Sequence, residues 1–340
     1  MQCYLNSDDL SCKYYPIYNV DFENGNILIF LSYKEAFIDF ELHFNETGEL
    51  TGTAKYVDKS SSVTFHKTSE WFAIGQTETG EFNFTDEEFK EKINQNSNYD
   101  QDSQNYEFTY DLNDKDKIKD FIEKYDLDHI TNQKKDVELM QTLLNWECKM
   151  LNHDSSSIAE KRDINSLFED GLKNGVCCRG LSLILSELLR AYGIKAQIVG
   201  CLPYTEIYND SHVVVNAYSE ELNQWIMLDP TYNMILKDED GRYVNVQNLR
   251  NYILKDAKLT WSEGAGYNEN PMTEEGLKEY MRYMAKNSCS YTKLLNNYEN
   301  CDVVSDNICI ILTSKDNQRA GEYTKDSKII FTNDDKHFWN

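Results

Sequence analysis

Leu181, Ile184, Leu185, Leu188, Leu189 and Tyr192 follow one another at steps of three, one, three, one and three, a single apolar stripe at the α-helical period. A stripe of that length has to pack on another layer, so the spacing predicts a buried helix over 178–192. Gly193 ends it, because a glycine just past the last periodic residue takes the left-handed conformation that closes a helix. Upstream stands Gly175-Val176-Cys177-Cys178-Arg179-Gly180. Cys178 thus falls in the first helical turn, where unpaired backbone N–H groups and the positive end of the helix dipole favour a thiolate. It is a candidate nucleophile.

Two further groups follow. Ser211-His212-Val213-Val214-Val215-Asn216-Ala217-Tyr218 reads as a β-branched strand opening on a histidine, and Gln224-Trp225-Ile226-Met227-Leu228-Asp229-Pro230 as a strand closing on an aspartate. Residues 219–223 suit a hairpin loop. Antiparallel pairing would set His212 and Asp229 on one edge of the sheet. Each residue alone has an ordinary reading. Free cysteines are among the most buried residues, a lone histidine is often structural, and Asp-Pro is turn chemistry. Their joint placement favours nucleophile, base and orienter in the order Cys178, His212, Asp229.

Cys-Arg-Gly-Leu-Ser at 178–182, Leu-Arg-Ala-Tyr-Gly-Ile at 189–194, His212 opening a strand and Trp-Ile-Met-Leu-Asp-Pro-Thr at 225–231 together resemble the core of the transglutaminase-like superfamily. Asn145-Trp146-Glu147 and His153-Asp154 resemble that family's helix with a Trp followed by an aromatic-Asp pair, and the resemblance covers 135–255. Trp146 and His153 either pack or line the cleft. The family's usual Gly-x-Cys would select Cys177, but its typical spacing of fifteen positions from nucleophile to the helix-ending glycine selects Cys178, since 193 − 178 = 15. Cys177 is then structural. Two departures, Gly175 three residues before the nucleophile and Ser182 where alanine is common, bear on register and packing.

The resemblance implies an α+β fold with a papain/transglutaminase-like core, a nucleophile helix packed on an antiparallel sheet; the stretch before it, rich in Tyr, Phe, Ile and Val over 13–73, reads as a β-rich N-terminal domain. The resemblance also implies a thiol-dependent amide hydrolase, a cysteine peptidase or amidase, acting through Cys178, His212 and Asp229 and a thioester. Transglutaminase-type acyl transfer to an amine and a non-catalytic binding scaffold on the same core are the alternatives. The Cys178 N–H at the helix start is a ready oxyanion donor. A second donor is not identified by the sequence.

The 340 residues, 40% apolar, are enough for a sizeable core in two or three domains. The formal charge of −24 repels phosphate backbones and argues against a nucleic-acid partner; the resemblance implies a protein or peptide substrate. No apolar run of membrane-spanning length and no signal-peptide pattern stands out, which predicts a cytoplasmic protein. Neither a nucleotide fingerprint nor a metal motif occurs, and no cofactor is expected. Nine scattered cysteines without a C-x-x-C pair suit a reducing compartment, with a Cys3–Cys12 bridge as an alternative in an exported protein.

Composition divides the chain into a β-rich domain at 1–93, a polar linker at 94–114, the catalytic core at 115–256 and an α/β extension at 257–340. Alternation over 37–44 and the turn at 45–49 predict hairpins. Thr85 or Asp86 caps a short helix, and further helices are expected over 115–125, 137–151, 163–172 and 273–287. Strands are expected over 195–202, 308–312 and 328–332.

Overall fold

The computed structural model describes residues 3–7, 12–17, 19–23, 26–33, 36–45, 49–56, 59–65, 85–100, 106–112, 114–155, 157, 163–203, 211–298, 307–315 and 328–340. It divides into two compact units, Met1–Thr85 in one and Asp86–Tyr204 with Ser211–Asn340 in the other.

Among its described residues, the first unit is built of strands. β1 (Cys3–Ser7) pairs with β2 (Cys12–Ile17), while β3 (Asn19–Glu23), β4 (Asn26–Tyr33), β5 (Ala36–Phe44), β6 (Leu50–Tyr56) and β7 (Lys59–Phe65) form an antiparallel meander in chain order. Along β5, Phe40 and Leu42 are buried while Glu41 and His43 are exposed, the two-residue period of a half-buried strand. Asn45 and Glu49 close the expected turn, with Asn45 N donating to Glu49 O and Glu49 N to Asn45 Oδ1, both at 2.9 Å. The β1–β2 register sets Cys3 opposite Ile17 and Cys12 opposite Ser7.

The second unit opens with α1 (Asp86–Gln95), β8 (Thr109–Tyr110), α2 (Lys119–Lys124), α3 (Leu127–Ile130), α4 (Asp136–Met150), α5 (Ile164–Asn174) and α6 (Cys178–Ala191). β9 (Ala196–Leu202), β10 (His212–Ser219), β11 (Gln224–Asp229), β12 (Met234–Asp238), α7 (Val246–Leu254), β13 (Leu259–Trp261) and the small ribbon β14 (Gly266–Tyr267) and β15 (Asn270–Pro271) follow. α8 (Glu274–Lys286), β16 (Ser290–Leu294), β17 (Asn296–Asn297), β18 (Cys309–Leu312), β19 (Ile329–Thr332) and α9 (Asp335–Trp339) complete it. The main sheet has the order β13-β12-β11-β10-β9-β16-β18-β19, antiparallel except for the parallel β18–β19 pair. This is a mixed fold of helix and sheet.

α6 lies against β9 and β10, with α4 and α5 packed on it. The predicted stripe is one side of a helix buried all round, from Gly180 to Ala191. Each fully buried leucine on it contributes roughly 1.5–3 kcal/mol. Its polar residues are tied down: Ser182 Oγ donates to Val213 O at 3.0 Å, and Arg190 donates to Ala196 O and Tyr298 O at 3.2 Å each. Gly193 closes the helix with φ +84°.

β9 joins the strands of the expected core to those of the extension. Gly200 faces Thr292 across the β9–β16 pair, and a Cβ there would fall 2.3 Å from Thr292 Oγ1. Glycine is what lets β16 close on β9.

Two expectations are corrected. The stretch read as a linker is anchored over 96–100: Asn96 is buried, Asp100 N donates to Asn333 O and Asn98 O accepts from Lys315 N. Arg250 bonds both Tyr99 Oη and the Asn96 carbonyl. Polar composition signals a linker only where such partners are absent. The helix expected over 115–125 is α only from Lys119, because Ile118, Phe121 and Ile122 are the residues that bury, whereas 115–117 are exposed and offer nothing to dock. Among the described residues, no helix is long and apolar enough to cross a membrane.

Candidate active site

Cys178 is the first residue of α6, after Cys177 in an extended N-cap conformation. One turn on, the Ser182 bond to Val213 O fixes the helix start against the residue that follows His212 in β10. The departure from alanine at 182 is thus a strut between two site elements.

His212 and Asp229 are buried to 1% and 0% exposure, and His212 Nε2 lies 2.7 Å from Asp229 Oδ2. The β10–β11 register, with Ser219 opposite Gln224 and Val215 opposite Leu228, brings the two to the same edge. Asp229 is also the turn residue its Pro230 suggested, since Oδ1 accepts from Thr231 N at 3.0 Å and its carbonyl from Tyr232 N at 3.2 Å. Turn chemistry and site chemistry are one arrangement. Tyr280 Oη, from α8, donates to Oδ2 at 3.0 Å. The buried carboxylate therefore accepts from a ring, a phenol and a backbone N–H, the number of partners such a group needs.

Burial pushes the Cys178 thiol pKa up, but the His153 and His212 imidazoles outweigh burial and bring it down to about 6. Burial pushes His212 down, and the Asp229 charge, with hydrogen bonds to Asp229 and Cys178, raises it to about 10. A thiolate–imidazolium pair is the stable form between those values. By contrast burial pushes the Cys148 thiol well up, as it does Cys201. Cys148 donates to Pro230 O at 3.0 Å.

His153 sits in a one-residue bridge to Val176, two residues before Cys178. Asn152 O accepts from Val176 N and Val176 O from Asp154 N, each at 2.9 Å. Gly175 permits this approach with φ +75°, and a Cβ there would fall 2.8 Å from Asp154 Cβ. Asn268, at the turn between β14 and β15, clamps the His153 backbone, accepting from its N–H at 2.7 Å and donating to its carbonyl at 3.2 Å. His153 Nδ1 lies 3.0 Å from Tyr267 Oη. The cleft along Trp261–Met272, of ≈ 510 Å³, shares Gly264, Gly266 and Asn268 with a ≈ 90 Å³ cavity that reaches His153.

The structure thus joins His212 to Asp229, starts α6 at Cys178 and bridges His153 to Val176, while Trp146 goes to packing, stacked on Phe168 at 5.2 Å and edge-on to Phe121 and Tyr125. Tyr267, Tyr280 and Tyr283 escaped the sequence reading. Tyr283 packs edge-on to His212 at 5.3 Å. Their signal was faint but present: Leu277, Tyr280 and Met284 form the buried stripe of α8, and a tyrosine in such a stripe needs a partner for its hydroxyl. Among the described residues, no group of three or more His, Cys, Asp or Glu is placed to hold a metal ion.

Residues 124–230 match the family model described as the Transglutaminase-like superfamily. Members of that superfamily are commonly cysteine-dependent hydrolases and acyltransferases. Comparisons with curated proteins and with solved structures returned no match.

Proposed function

We propose that the chain is a thiol-dependent amide hydrolase, a cysteine peptidase or amidase, with Cys178 as nucleophile, His212 as general base and acid, and Asp229 as the group that orients and stabilises the imidazolium. The observation that carries this reading is the buried contact of His212 Nε2 with Asp229 Oδ2 at 2.7 Å, on strands beside the helix that Cys178 begins.

With Nε2 bonded to Asp229, the His212 nitrogen left for the thiol is Nδ1. Cys178 Sγ, as thiolate, attacks the substrate amide carbon; the S–C bond forms and the carbonyl π pair moves to oxygen. The Cys178 N–H, unpaired in the first turn of α6, donates to that oxyanion. Collapse breaks the C–N bond, and His212 Nδ1–H protonates the departing amine. Water then attacks the thioester, His212 takes its proton, and the C–S bond breaks to restore the thiolate. An amine in place of water would give acyl transfer by the same steps. A protein or peptide is the substrate class this chemistry suits.

The test is thiol-directed labelling near pH 6 with peptide mapping. Cys178 should be modified much faster than Cys177, since an ordinary thiol is almost wholly protonated there. A screen of peptide amides, run with and without monodansylcadaverine, then separates hydrolysis from acyl transfer. Cys178→Ala should abolish turnover and Asp229→Asn should lower it by about 10⁴. Full activity of Cys178→Ala would refute the reading and leave the scaffold alternative.

A further inference from the structure

Tyr280 and Tyr283 stand three positions apart on α8, the spacing that sets two side chains on one helix face. Each addresses one member of the buried His212–Asp229 pair. Tyr280, 1% exposed, donates from Oη to Asp229 Oδ2 at 3.0 Å. Tyr283 lays its ring against that of His212, centroids 5.3 Å apart and planes inclined at 67°, and its Oη donates to the carbonyl of Ser211, the preceding residue, at 3.4 Å. Lys286, three positions further on, holds its Nζ 4.8 Å from the Tyr283 ring centroid. Tyr232 packs edge-on to Tyr280 at 4.9 Å and to His212 at 6.4 Å. The helix is anchored at its start, where Thr273 Oγ1 accepts from Gly276 N at 3.0 Å. All of α8 lies beyond the 124–230 segment that matches the family model.

The imidazole needs such a neighbour. Its hydrogen bond from Nε2 to Asp229 fixes one corner of the ring. Turning about the Cβ–Cγ bond moves Nδ1 farther than Nε2, because in a five-membered ring attached at Cγ the Nδ1 corner stands farther from that axis. A bond at Nε2 alone therefore leaves the corner assigned to proton transfer the looser of the two. A ring packed at a steep angle against the imidazole resists the turn, and one tied to the Ser211 carbonyl moves with the strand that bears His212.

We propose that α8 is a clamp on the His212–Asp229 pair, and that Tyr283 is the positioning residue that holds the plane of the His212 ring and keeps Nδ1 on the line of proton transfer. For its effect on turnover the inference rests on the amide-hydrolase reading above. Tyr283 exchanges no proton. It keeps the acid within reach when the C–N bond breaks and the departing amine takes the Nδ1 proton, a step that depends on the placement of that nitrogen.

The experiment uses one peptide acyl group from the peptide-amide screen, carried as its p-nitroanilide and as its p-nitrophenyl ester. The anilide nitrogen must be protonated to leave, whereas nitrophenolate leaves without a proton. Both values of kcat/KM are measured on the full chain at a pH where iodoacetamide alkylation of Cys178 has reached its plateau, so that the thiolate is complete in every variant, with Cys178→Ala as the blank. The anilide-to-ester ratio should fall about 10²-fold in Tyr283→Leu, the loss that a misplacement of about 1 Å causes. Tyr283→Phe, which keeps the ring, should recover most of it. A variant that is only less folded lowers both rates alike and leaves the ratio where it was. The His212 Nε2–H proton, followed by NMR in the same proteins without substrate, should be seen in wild type and in Tyr283→Phe and be lost to exchange with water in Tyr283→Leu.

An unchanged ratio in Tyr283→Leu overturns the inference and leaves the hydrolase reading standing. A wild-type protein that cleaves no amide of the screen removes the hydrolase reading. The Nε2–H resonance then decides the clamp, which is overturned if Tyr283→Leu keeps that proton as wild type does and upheld if it loses it.

Discussion

Tyr280 Oη donates to Asp229 Oδ2 at 3.0 Å, the same oxygen that lies 2.7 Å from His212 Nε2. The carboxylate that faces the histidine is therefore shared with a phenol from α8. That hydroxyl draws charge away from the His212 contact. Tyr280→Phe should keep the fold at a cost of about 1.5–3 kcal/mol, the range for a hydrogen bond to a charged group. The more basic carboxylate left behind should raise the His212 pKa further. Imidazole nitrogen shifts followed by NMR across pH read this directly, and a downward move would contradict the role given to Asp229.

Turnover should follow a bell with limbs near the two site values. The thiolate is lost by protonation as pH falls through about 6. The proton for the leaving amine is lost as pH rises through about 10, where the imidazolium gives up its own. Peptide-amide hydrolysis measured as kcat/KM from pH 5 to 11, values chosen to bracket both limbs, should rise through the first and fall through the second. A single acid limb, with no fall at high pH, would remove His212 as the acid.

Gly200 makes a packing prediction. The Cβ of Gly200→Ala would push Thr292 and open the β9–β16 pair, at about 1–3 kcal/mol for an overpacked site. Thr292→Ala in the same chain should recover part of that loss, because the two residues touch and their effects do not add. Urea unfolding of the four proteins in the cycle measures it; equal losses with and without Thr292 would mean that the approach is not tight.

Lys293 is buried on β16, its Nζ donating to Phe338 O at 2.5 Å with the Phe108 ring centroid 3.8 Å away. The rings favour an ammonium by about 2 kcal/mol at most, whereas full burial moves a lysine by as much as about 3–5 pK units. Burial wins, and the pKa falls well below the usual lysine value. The unfolded chain then binds more protons than the native one between the two pKa values, so stability rises with pH across that window and is lost as pH falls. Lys293→Met should flatten this dependence in denaturation curves taken from pH 7 to 10, a range below the unperturbed lysine value of about 10.4. An unchanged slope would mean that Lys293 is charged in the native state.

Much of the site was legible because it is made at the ends of locally patterned elements. The step pattern from Leu181 to Tyr192 and Gly193 place the helix that Cys178 begins, and the runs after His212 and before Asp229 place two strands whose edge those two residues share. What escaped depends on contacts between distant segments. Ser290-Tyr291-Thr292-Lys293-Leu294 carries a lysine and three hydroxyls, yet it lies beside β9 within the main sheet because Gly200 admits Thr292 and aromatic rings cover Lys293. Asn96 and Tyr99 read as linker because nothing local reveals Arg250. Tyr280 reads as core, and its hydroxyl finds Asp229 only once α8 has folded back. His153, three residues beyond the end of α4, takes its place from Val176 and Asn268, neither of them a neighbour in the chain.

The account stands most directly on the ionisation of Cys178. The ultraviolet absorbance of its thiolate, taken as the difference between wild type and Cys178→Ala, should titrate with a midpoint of about 6. In His212→Asn the midpoint should move up toward the ordinary thiol value of 9.0. A wild-type midpoint near 9.0, or one that His212→Asn leaves in place, would contradict the ion pair on which the proposed chemistry depends.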